Sequence, residues 1–242
     1  MFSASENPVA IAGASFLDGP AMPDLPEPDD LPLVQNRFPG LPSEQLRQLG
    51  RLVALLRDWN ERVNLVSRKD VGHLEEHHLL HSLAIFQVLR PEAGARFADL
   101  DTGGGFPGLP LAVVYPECRF TLVDSIAKKA RAVEEIAAAV GLGNVQVVTA
   151  RAEKISGRFD YVLGRAVAAL PQFLGWASPL LRTGSAGEPS NGVFYLKGTL
   201  YREEIAGLRC APPTAWELEK MLPGLEYFRE KFLLHFPAPL YL

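Results

Sequence analysis

A glycine-rich segment at residues 97–108 carries the residue types best suited to holding a small ligand. It reads Phe-Ala-Asp-Leu-Asp-Thr-Gly-Gly-Gly-Phe-Pro-Gly, with Asp99 just before three consecutive glycines at 103–105. Glycine has no Cβ, so backbone N–H groups and a ligand can approach each other closely. Asp124 ends the next apolar run, and in doubly wound sheets an acid at that place accepts hydrogen bonds from ribose hydroxyls. The segment and the acid together predict a nucleoside-binding turn.

The same segment also fits the dinucleotide fingerprint, as Gly103-x-Gly105-x-x-Gly108. Two residues favour a cationic ligand over a pyrophosphate. A carboxylate at Asp99 would repel a pyrophosphate, but it would attract the ammonium and sulfonium groups of S-adenosylmethionine. Pro107 removes a backbone donor from the helix start, where a pyrophosphate would bind. S-adenosylmethionine is therefore the predicted ligand, with a nicotinamide cofactor and a purely structural turn as the alternatives.

Apolar strands and helical segments alternate around the glycine segment, which predicts a doubly wound α/β sheet. A helix at 127–140 is the clearest of the intervening helices, and it should end at Gly141. The tail from Trp216 to Leu242 is predicted to supply an antiparallel hairpin at the sheet edge. The predicted fold class is α/β and Rossmann-like, with a mostly parallel sheet. Its strands are predicted at 95–100, 120–124, 145–149, 159–163 and 193–196.

Two helical stretches precede the first strand and predict an N-terminal helical cap. From Ser43, a suitable N-cap residue, apolar residues recur at three- and four-residue steps, and a second stretch ends at Pro91. The preceding residues are rich in Pro, Asp, Ala and Gly without periodicity, which predicts that most of this leader is disordered or loosely docked. The predicted organisation is a leader at 1–40 and one Rossmann-like domain at 41–242, divided into the cap at 41–92 and the core at 93–242.

The formal net charge of −4 gives no support for a nucleic-acid partner, but the charge is unevenly placed. Residues 1–30 hold six acids and no Lys or Arg, which leaves 24 basic and 22 acidic residues in the rest of the chain. The folded part can therefore carry a local basic face. Cys118 and Cys210 form no disulfide framework and no paired metal motif, so a cytoplasmic protein is expected. No apolar run reaches the ~18 residues of a membrane helix.

Several separated motifs, in a fixed order, resemble the small-subunit ribosomal RNA guanine-N7 methyltransferases, also known as the glucose-inhibited division protein B family. The glycine segment continues as Thr-Gly-Gly-Gly-Phe-Pro-Gly-Leu-Pro over 102–110, which is similar to that family's signature. The resemblance implies a class I S-adenosylmethionine-dependent methyltransferase that modifies N7 of a guanine in small-subunit (16S) ribosomal RNA. The further segments that resemble the family lie at 59–68, 76–83, 123–129, 151–153, 159–166 and 196–198.

The resemblance also implies roles for individual residues. Those at the donor are Asp99, Gly103 and Gly105 for the methionine end, Asp124 for the ribose, Ala152 and Glu153 beside the adenine, and Arg165 at the active-site mouth. Those for RNA phosphates are Lys128, Lys129 and Lys197. Arg68 joins the RNA candidates as part of a small basic cluster near the end of the first cap helix.

The family that the chain resembles usually has glycine where this chain has Asp101. An aspartate there can crowd the methionine part of the donor, or it can add attraction for the donor's positive charge. Aspartate tolerates unusual φ values better than most residues. Alternatives to an RNA methyltransferase therefore stay open: an NAD-dependent oxidoreductase, a small-molecule methyltransferase, and a non-catalytic ribosome-assembly factor whose donor site is impaired by Asp101.

Four of the five histidines cluster at 73–81, namely His73, His77, His78 and His81. Spacings of i, i+4 can place two metal ligands on one helix face. The segment has no HExxH motif and no cysteine nearby, however, so no metal is predicted. The histidines are instead expected to pack their helix and to contact the glycine segment.

Methylation at N7 of guanine would ask for little acid–base chemistry. N7 carries a lone pair and no proton, so its attack on the methyl group needs no general base. The enzyme would act by orientation, on a base that is unstacked or already accessible. Phe106 is proposed to border the base pocket and position the base alongside Arg165, with simple core packing as an equal alternative. The expected partner is small-subunit ribosomal RNA or the 30S subunit, bound by a monomer.

Overall fold

The computed structural model describes residues 25–208 and 211–240. The strands within them are β1 (Arg90–Pro91), β2 (Arg96–Leu100), β3 (Arg119–Asp124), β4 (Val145–Thr149), β5 (Tyr161–Arg165), β6 (Gly187–Glu188), β7 (Gly192–Gly198), β8 (Thr214–Glu217) and β9 (Lys231–Pro237). The α-helices are α1 (Pro32–Arg37), α2 (Ser43–Asn60), α3 (His81–Val88), α4 (Gly108–Val114), α5 (Ala127–Val140), α6 (Leu170–Ala177), α7 (Tyr201–Ile205) and α8 (Leu218–Met221). Short 3-10 turns lie at Val71–His73, Ala152–Lys154, Ser178–Leu180 and Glu226–Phe228, and a π-helical segment lies at Leu74–Leu80.

Seven strands form one sheet in the order β4-β3-β2-β5-β7-β9-β8, and β1 pairs with β6 in a separate ribbon. The first five of these are parallel to their neighbours, whereas β9 runs antiparallel between β7 and β8. The predicted mostly parallel α/β sheet is therefore confirmed, and so is the antiparallel addition at its edge. The chain builds outward from β2 through β3 and β4, then returns to add β5 and β7 on the other side. The strand order therefore reverses between β2 and β5, and in doubly wound sheets a ligand crevice forms where the order reverses.

The strands are apolar because helices cover both faces of the sheet. Four of the five residues of β5 are buried, from Tyr161 to Gly164. On one face Phe97 stacks against Phe120 and Tyr161, with ring centroids 4.6 Å and 5.0 Å apart. This aromatic layer fixes the relative positions of β2, β3 and β5, whose carboxyl ends carry the candidate site residues.

Helix α5 spans the predicted 127–140. Its buried residues recur at steps of three and four along the helix, which makes one face that packs on the sheet. The helix ends where Gly141 takes a φ of +83°, a left-handed conformation that glycine adopts without a Cβ penalty. The helix begins just after β3, so it places Lys128 and Lys129 close to the carboxyl end of that strand.

The cap contains the predicted helices, with one difference in the second stretch. Helix α2 begins with Ser43 as its first helical residue, so Ser43 is not its N-cap; that position is taken by Pro42, which makes no side-chain capping bond. At the other end, Asn60 Oδ1 accepts hydrogen bonds from the N–H groups of Leu65 and Val66 at 2.8 Å and 2.9 Å. The second stretch is not one regular helix. It passes from a 3-10 turn through the π-helical segment Leu74–Leu80 into α3.

Residues 25–40 of the predicted leader are neither disordered nor loosely docked, and its residues 1–24 lie outside the described residues. Leu31 and Val34 are buried in the core. Glu75 Oε1 accepts hydrogen bonds from the N–H groups of Leu33 and Val34 at 2.7 Å and 2.9 Å, so a distant carboxylate caps α1. Arg57 also forms an ion pair with Asp29 at 2.6 Å. Composition concealed these contacts because each of them joins residues far apart in the sequence.

The strand predicted at 159–163 lies two residues further on, as β5. Phe159 instead forms an isolated parallel bridge with Leu181. This shift brings Arg165 into the last position of the strand, at the sheet edge where the glycine segment lies. Within the described residues, no helix combines the length and the apolar character that crossing a membrane requires.

Candidate active site

The glycine turn that follows β2 is built around Asp99. This carboxylate is fully buried, and its Oδ2 accepts hydrogen bonds from the Thr102 hydroxyl at 2.6 Å and the Gly108 N–H at 2.9 Å. Its Oδ1 is also buried and has no hydrogen-bond partner among the residues that the structure describes. Burial raises the pKa of Asp99 to about 6. One oxygen thus braces the turn, and the other is left without a partner among the described residues.

The turn's glycines serve different purposes. Gly105 has a φ of +89°, and a Cβ there would lie 2.3 Å from the Leu109 side chain, so this position requires glycine for packing. Gly103 has a φ of +58°, and nothing lies within 4 Å of the place its Cβ would take. Gly103 therefore leaves open space beside the turn, as a ligand that approaches the backbone requires.

Asp101 adopts a left-handed backbone conformation within the turn. Its φ is +58°, in the left-handed region where glycine is favoured and aspartate is tolerated. The residue is exposed, but surrounding protein atoms shield part of its carboxylate from water. Partial burial is the first cause that raises its pKa, followed by the charge of Asp124, while Lys129 acts in the opposite direction.

Both carboxylate oxygens of Asp124 accept hydrogen bonds from the backbone, which the sequence did not predict. The residue is buried, and its Oδ2 accepts a hydrogen bond from the Gly103 N–H at 3.0 Å while its Oδ1 accepts one from the Ile126 N–H at 2.8 Å. The side chain therefore holds the glycine turn against the end of β3. A carboxylate has further lone pairs, so the ribose role stays a prediction, to be exercised alongside this bracing role.

A cavity of about 350 Å³, here called the turn cavity, opens beside Asp101. It brings together Asp101 from the loop after β2 and Ala152 and Glu153 from the 3-10 turn after β4. Sequence reasoning missed Gln172 and Trp176, which lie four residues apart on α6; that helical spacing was the available signal. The wall consists of Asp101, Ser125, Ala150, Arg151, Ala152, Glu153, Gln172 and Trp176.

A second cavity of about 810 Å³, here called the arginine cavity, lies at the carboxyl ends of β5 and β7 and the start of β9. Four of its wall residues are cationic and two are acidic. Its wall includes Asp70, His78, His81, Arg165, Val167, Lys197, Leu200, Tyr227, Arg229, Glu230 and Lys231. Of these, only Arg165 and Lys197 are among the predicted site residues, because the C-terminal strand that brings Arg229 and Lys231 is distant in sequence.

Arg165 lies between the histidine segment and the glycine turn. Its Nη1 donates to the His77 carbonyl at 3.1 Å and its Nη2 to His78 Nδ1 at 2.8 Å. Its guanidinium carbon lies 5.1 Å from the centre of the Phe106 ring. Burial lowers the pKa of Arg165. The cation is thus fixed in the wall of the arginine cavity, between the histidine segment and the glycine turn.

Phe106 is buried in the hydrophobic core, with 3% of its surface exposed. The His78 ring packs against it with centroids 5.0 Å apart, and the Arg165 guanidinium contacts the same ring. The packing alternative accounts for this placement. The predicted role in positioning a base stays a prediction, which Phe106 could fulfil only through its neighbours Arg165 and His78.

The other histidines pack as a column. The rings of His73 and His77 stack at 4.6 Å, and His77 stacks on Tyr227 at 3.7 Å. His77 Nδ1 also lies 2.9 Å from an Asp70 carboxylate oxygen. His73, Glu76 and His77 bring three potential ligand atoms within 4.8 Å of one another. The expected absence of a metal therefore stays a prediction.

The four predicted RNA contacts are separated by the fold. Lys197 lies in the wall of the arginine cavity, where its Nζ forms an ion pair with Glu204 at 2.9 Å. Lys128 is exposed and Lys129 is half-buried, both at the start of α5, and Arg68 is exposed in the loop after α2. Only Lys197 thus shares a cavity with Arg165.

Comparison with known proteins identifies relatives over most of the chain. The sequence model of the GidB family, described as rRNA small subunit methyltransferase G, matches residues 45–226. The ribosomal RNA small subunit methyltransferase G of Cytophaga hutchinsonii is 40% identical over 206 residues, which covers 85% of this chain and 99% of the relative. That of Bacteroides fragilis is 45% identical over 166 residues, covering 69% of this chain and 81% of the relative.

Solved structures share the fold at low identity. A predicted O-methyltransferase from Agrobacterium tumefaciens has a TM-score of 0.52 at 15% identity, over 66% of this chain and 81% of that one. A mutant of MtNAS in complex with S-adenosylmethionine has a TM-score of 0.50 at 15% identity, over 87% of this chain and 85% of that one. These likenesses confirm the Rossmann-like fold class.

Proposed function

We propose, because this chain belongs to the rRNA small subunit methyltransferase G family, that it transfers a methyl group from S-adenosylmethionine to N7 of a guanine in small-subunit ribosomal RNA. The buried Asp99 carboxylate carries this proposal. A fully buried acid with one oxygen unpartnered among the described residues needs a cationic or strongly donating ligand. The ammonium group of S-adenosylmethionine meets that need, whereas a pyrophosphate would be repelled.

The described residues fit the donor. Asp99, Gly103 and Gly105 would hold the methionine end, Asp124 the ribose, and Ala152 and Glu153 the adenine. When bound, S-adenosylmethionine supplies a methyl group on a positively charged sulfur. Asp101 and Glu153 give the turn cavity two acids to one arginine, so its charge favours a cationic ligand over an anionic one.

The nicotinamide alternative loses its support. The glycine fingerprint was its only basis, and the relatives that match most of the chain are named as methyltransferases. Pro107 precedes the first residue of α4, so it supplies no N–H at the place where a pyrophosphate would bind. The alternative of an assembly factor without donor binding depends on Asp101, and calorimetry with S-adenosylhomocysteine tests it.

RNA would bind at the arginine cavity. Lys197, Arg229 and Lys231 in its wall suit phosphate oxygens, and Lys128, Lys129 and Arg68 would extend the contact to neighbouring phosphates. Arg165 would act between the glycine turn and the histidine segment, holding His77 and His78 in place. Phe106 would support it through ring contact. No proton needs to be removed from N7, so orientation is the main contribution of the chain. We propose a cytoplasmic monomer that acts on the 30S subunit or its RNA.

Mass spectrometry of small-subunit ribosomal RNA from cells with and without this protein tests the proposal. We expect loss of one 7-methylguanosine in cells that lack it, restored by the wild-type gene and not by an Asp99→Asn variant. An unchanged set of 7-methylguanosines, or loss of a different methylated nucleotide, would contradict the proposed acceptor.

A further inference from the structure

We propose that the Nε2–H group of His78 recognises O6 of the target guanine and thereby selects guanine over adenine at the acceptor site. This inference rests on the proposed function, because it concerns the base that accepts the methyl group. His78 lies in the wall of the arginine cavity and packs against Phe106 of the glycine turn. His78 thus contacts both the arginine cavity and the glycine turn.

The contact with Arg165 fixes the tautomer of His78. Arg165 Nη2 lies 2.8 Å from His78 Nδ1. A guanidinium group has only donors, so Nδ1 must accept this hydrogen bond and cannot carry a proton. In the neutral ring the proton then resides on Nε2. A single neighbouring residue therefore turns Nε2 into a donor.

The ring is neutral at physiological pH. Burial, and then the charge of Arg165, lower the pKa of His78 to about 3. Protonation of Nδ1 would also place two donors face to face at 2.8 Å. The Nε2–H form is thus the one that a substrate meets.

His78 Nε2 is buried and has no hydrogen-bond partner among the described residues. A buried donor without a partner typically costs about 1–3 kcal/mol, so such a group calls for a ligand or another explanation. An acceptor atom brought into the arginine cavity, with a small adjustment of the wall, can supply that partner.

Guanine offers the matching acceptor. Its N7 and O6 atoms both accept hydrogen bonds and lie on one edge, whereas adenine presents an N6 amino donor in place of O6. A fixed donor at His78 would bind O6 of guanine and oppose the amino group of adenine. Because N7 is next to O6, an edge held at His78 keeps N7 beside the glycine turn. The same contact would then serve both selection and orientation.

A matched pair of variants separates this role from a merely structural one. In His78→Gln the side-chain amide can place its N–H group near the position of Nε2, while an acceptor near Nδ1 is lost. In His78→Asn the amide oxygen can accept from Arg165, but the donor at Nε2 is lost. We expect His78→Gln to retain turnover on 30S subunits within about tenfold, and His78→Asn to lose about 100-fold or more, consistent with loss of a specific hydrogen bond.

Retained turnover in His78→Asn would overturn the inference, because His78 would then act only by holding Arg165. A parallel loss of affinity for S-adenosylhomocysteine in His78→Asn would also overturn it, since the Nε2–H group of His78 would then bind the methionine carboxylate of that ligand. Absence of 7-methylguanosine formation by the wild-type protein would instead contradict the proposed function itself. The two failures are thus distinguishable.

If both variants are inactive, NMR of the wild-type protein labelled with ¹⁵N-histidine decides. We expect His78 to show the Nε2–H tautomer. With S-adenosylhomocysteine bound, guanosine 5′-monophosphate should shift its Nε2 proton, and the riboside monophosphate of 2-aminopurine, which lacks O6, should not. An Nδ1–H tautomer, no shift with either nucleotide, or equal shifts with both would overturn the inference.

Discussion

The turn cavity and the arginine cavity open on the same edge of the sheet and differ in charge. The turn cavity collects residues that follow β2, β3 and β4 and is lined by two acids and one arginine. The arginine cavity collects residues from the ends of β5 and β7 and the start of β9, with four cations and two acids. A cationic methyl donor and an anionic RNA can therefore bind side by side, each in a cavity of opposite charge. The formal net charge of −4 conceals this separation.

We expect the largest effect from Asp99→Asn, which tests whether a buried negative charge beside the glycine turn holds the methyl donor. The variant keeps the shape of the side chain and an acceptor for the turn, but it removes the buried negative charge. We expect affinity for S-adenosylhomocysteine to fall about 100-fold, as when one partner of a buried charge pair is lost. Calorimetry measures this, with RNA affinity as the internal control, which should stay within twofold of the wild-type value. Unchanged binding of S-adenosylhomocysteine would show that ligand binding does not use the Asp99 charge.

The pH dependence of ligand binding also tests whether the ionised form of Asp99 binds the ligand. Asp99 has a pKa of about 6, and a ligand ammonium favours its ionised form. Binding must then release a proton below that pH, so affinity should fall about tenfold for each pH unit below 6 and be constant above it. Calorimetry of S-adenosylhomocysteine from pH 5 to pH 8 measures this. The Asp99→Asn variant should show no such dependence, and a flat wild-type profile would contradict the assignment.

On the basic side, the double variant Arg229→Gln/Lys231→Gln should affect RNA and not the donor. We expect RNA affinity to fall about tenfold and the salt dependence of binding to decrease by one to two counterions. The matched control is Arg131→Gln/Lys220→Gln, which makes the same change in net charge at exposed residues outside both cavities. Equal effects of the two double variants would mean that only overall charge matters.

Phe106→Leu probes the glycine-turn residue that packs against Arg165 and His78. Loss of part of a buried ring should lower the free energy of unfolding by about 1–2 kcal/mol. If Phe106 also supports Arg165 and His78, turnover should fall several-fold. The matched control is Phe97→Leu, a buried ring in the core between β3 and β5, with similar loss of stability and full turnover. Denaturant unfolding and methyl transfer to 30S subunits measure both, and equal turnover in the two variants would leave Phe106 a packing residue.

The smallest expected effect is that of Asp101→Gly. Glycine removes the cost of the left-handed φ of +58°, so the melting temperature should rise slightly. It also removes a carboxylate from the turn cavity, so affinity for S-adenosylhomocysteine should fall about threefold. Asp101→Asn should give the same loss of affinity without the gain in stability. Tighter binding in Asp101→Gly would mean that Asp101 obstructs the donor.

The two cavities also differ in how much of them the sequence predicts. The turn cavity is built from short segments that each follow a strand, so strand periodicity and the glycine spacing locate the turn after Asp99 and the acid Asp124 beside it, whereas Ala152 and Glu153 were implied only by the family resemblance. The arginine cavity depends on where the C-terminal hairpin docks. Tyr227 lies 150 residues from His77, yet its ring stacks on it. No local pattern predicts such a contact, because it is set by the packing of β9 between β7 and β8.

Hydrogen bonding was the other feature that spacing did not predict. The sequence located Asp124 at the end of a strand, but both of its oxygens accept bonds from backbone N–H groups. Likewise, the composition of residues 25–40 predicted disorder, whereas Glu75 caps α1 from 42 positions away. In both cases the deciding partner comes from another part of the chain.

The most direct measurement is a structure of this protein with S-adenosylhomocysteine bound. We expect the ligand's ammonium group at Asp99 and its adenosine in the turn cavity beside Ala152 and Glu153, with the arginine cavity left free for RNA. A ligand in the arginine cavity, or a turn cavity closed to it by the Asp101 side chain, would contradict the assignment of the two cavities.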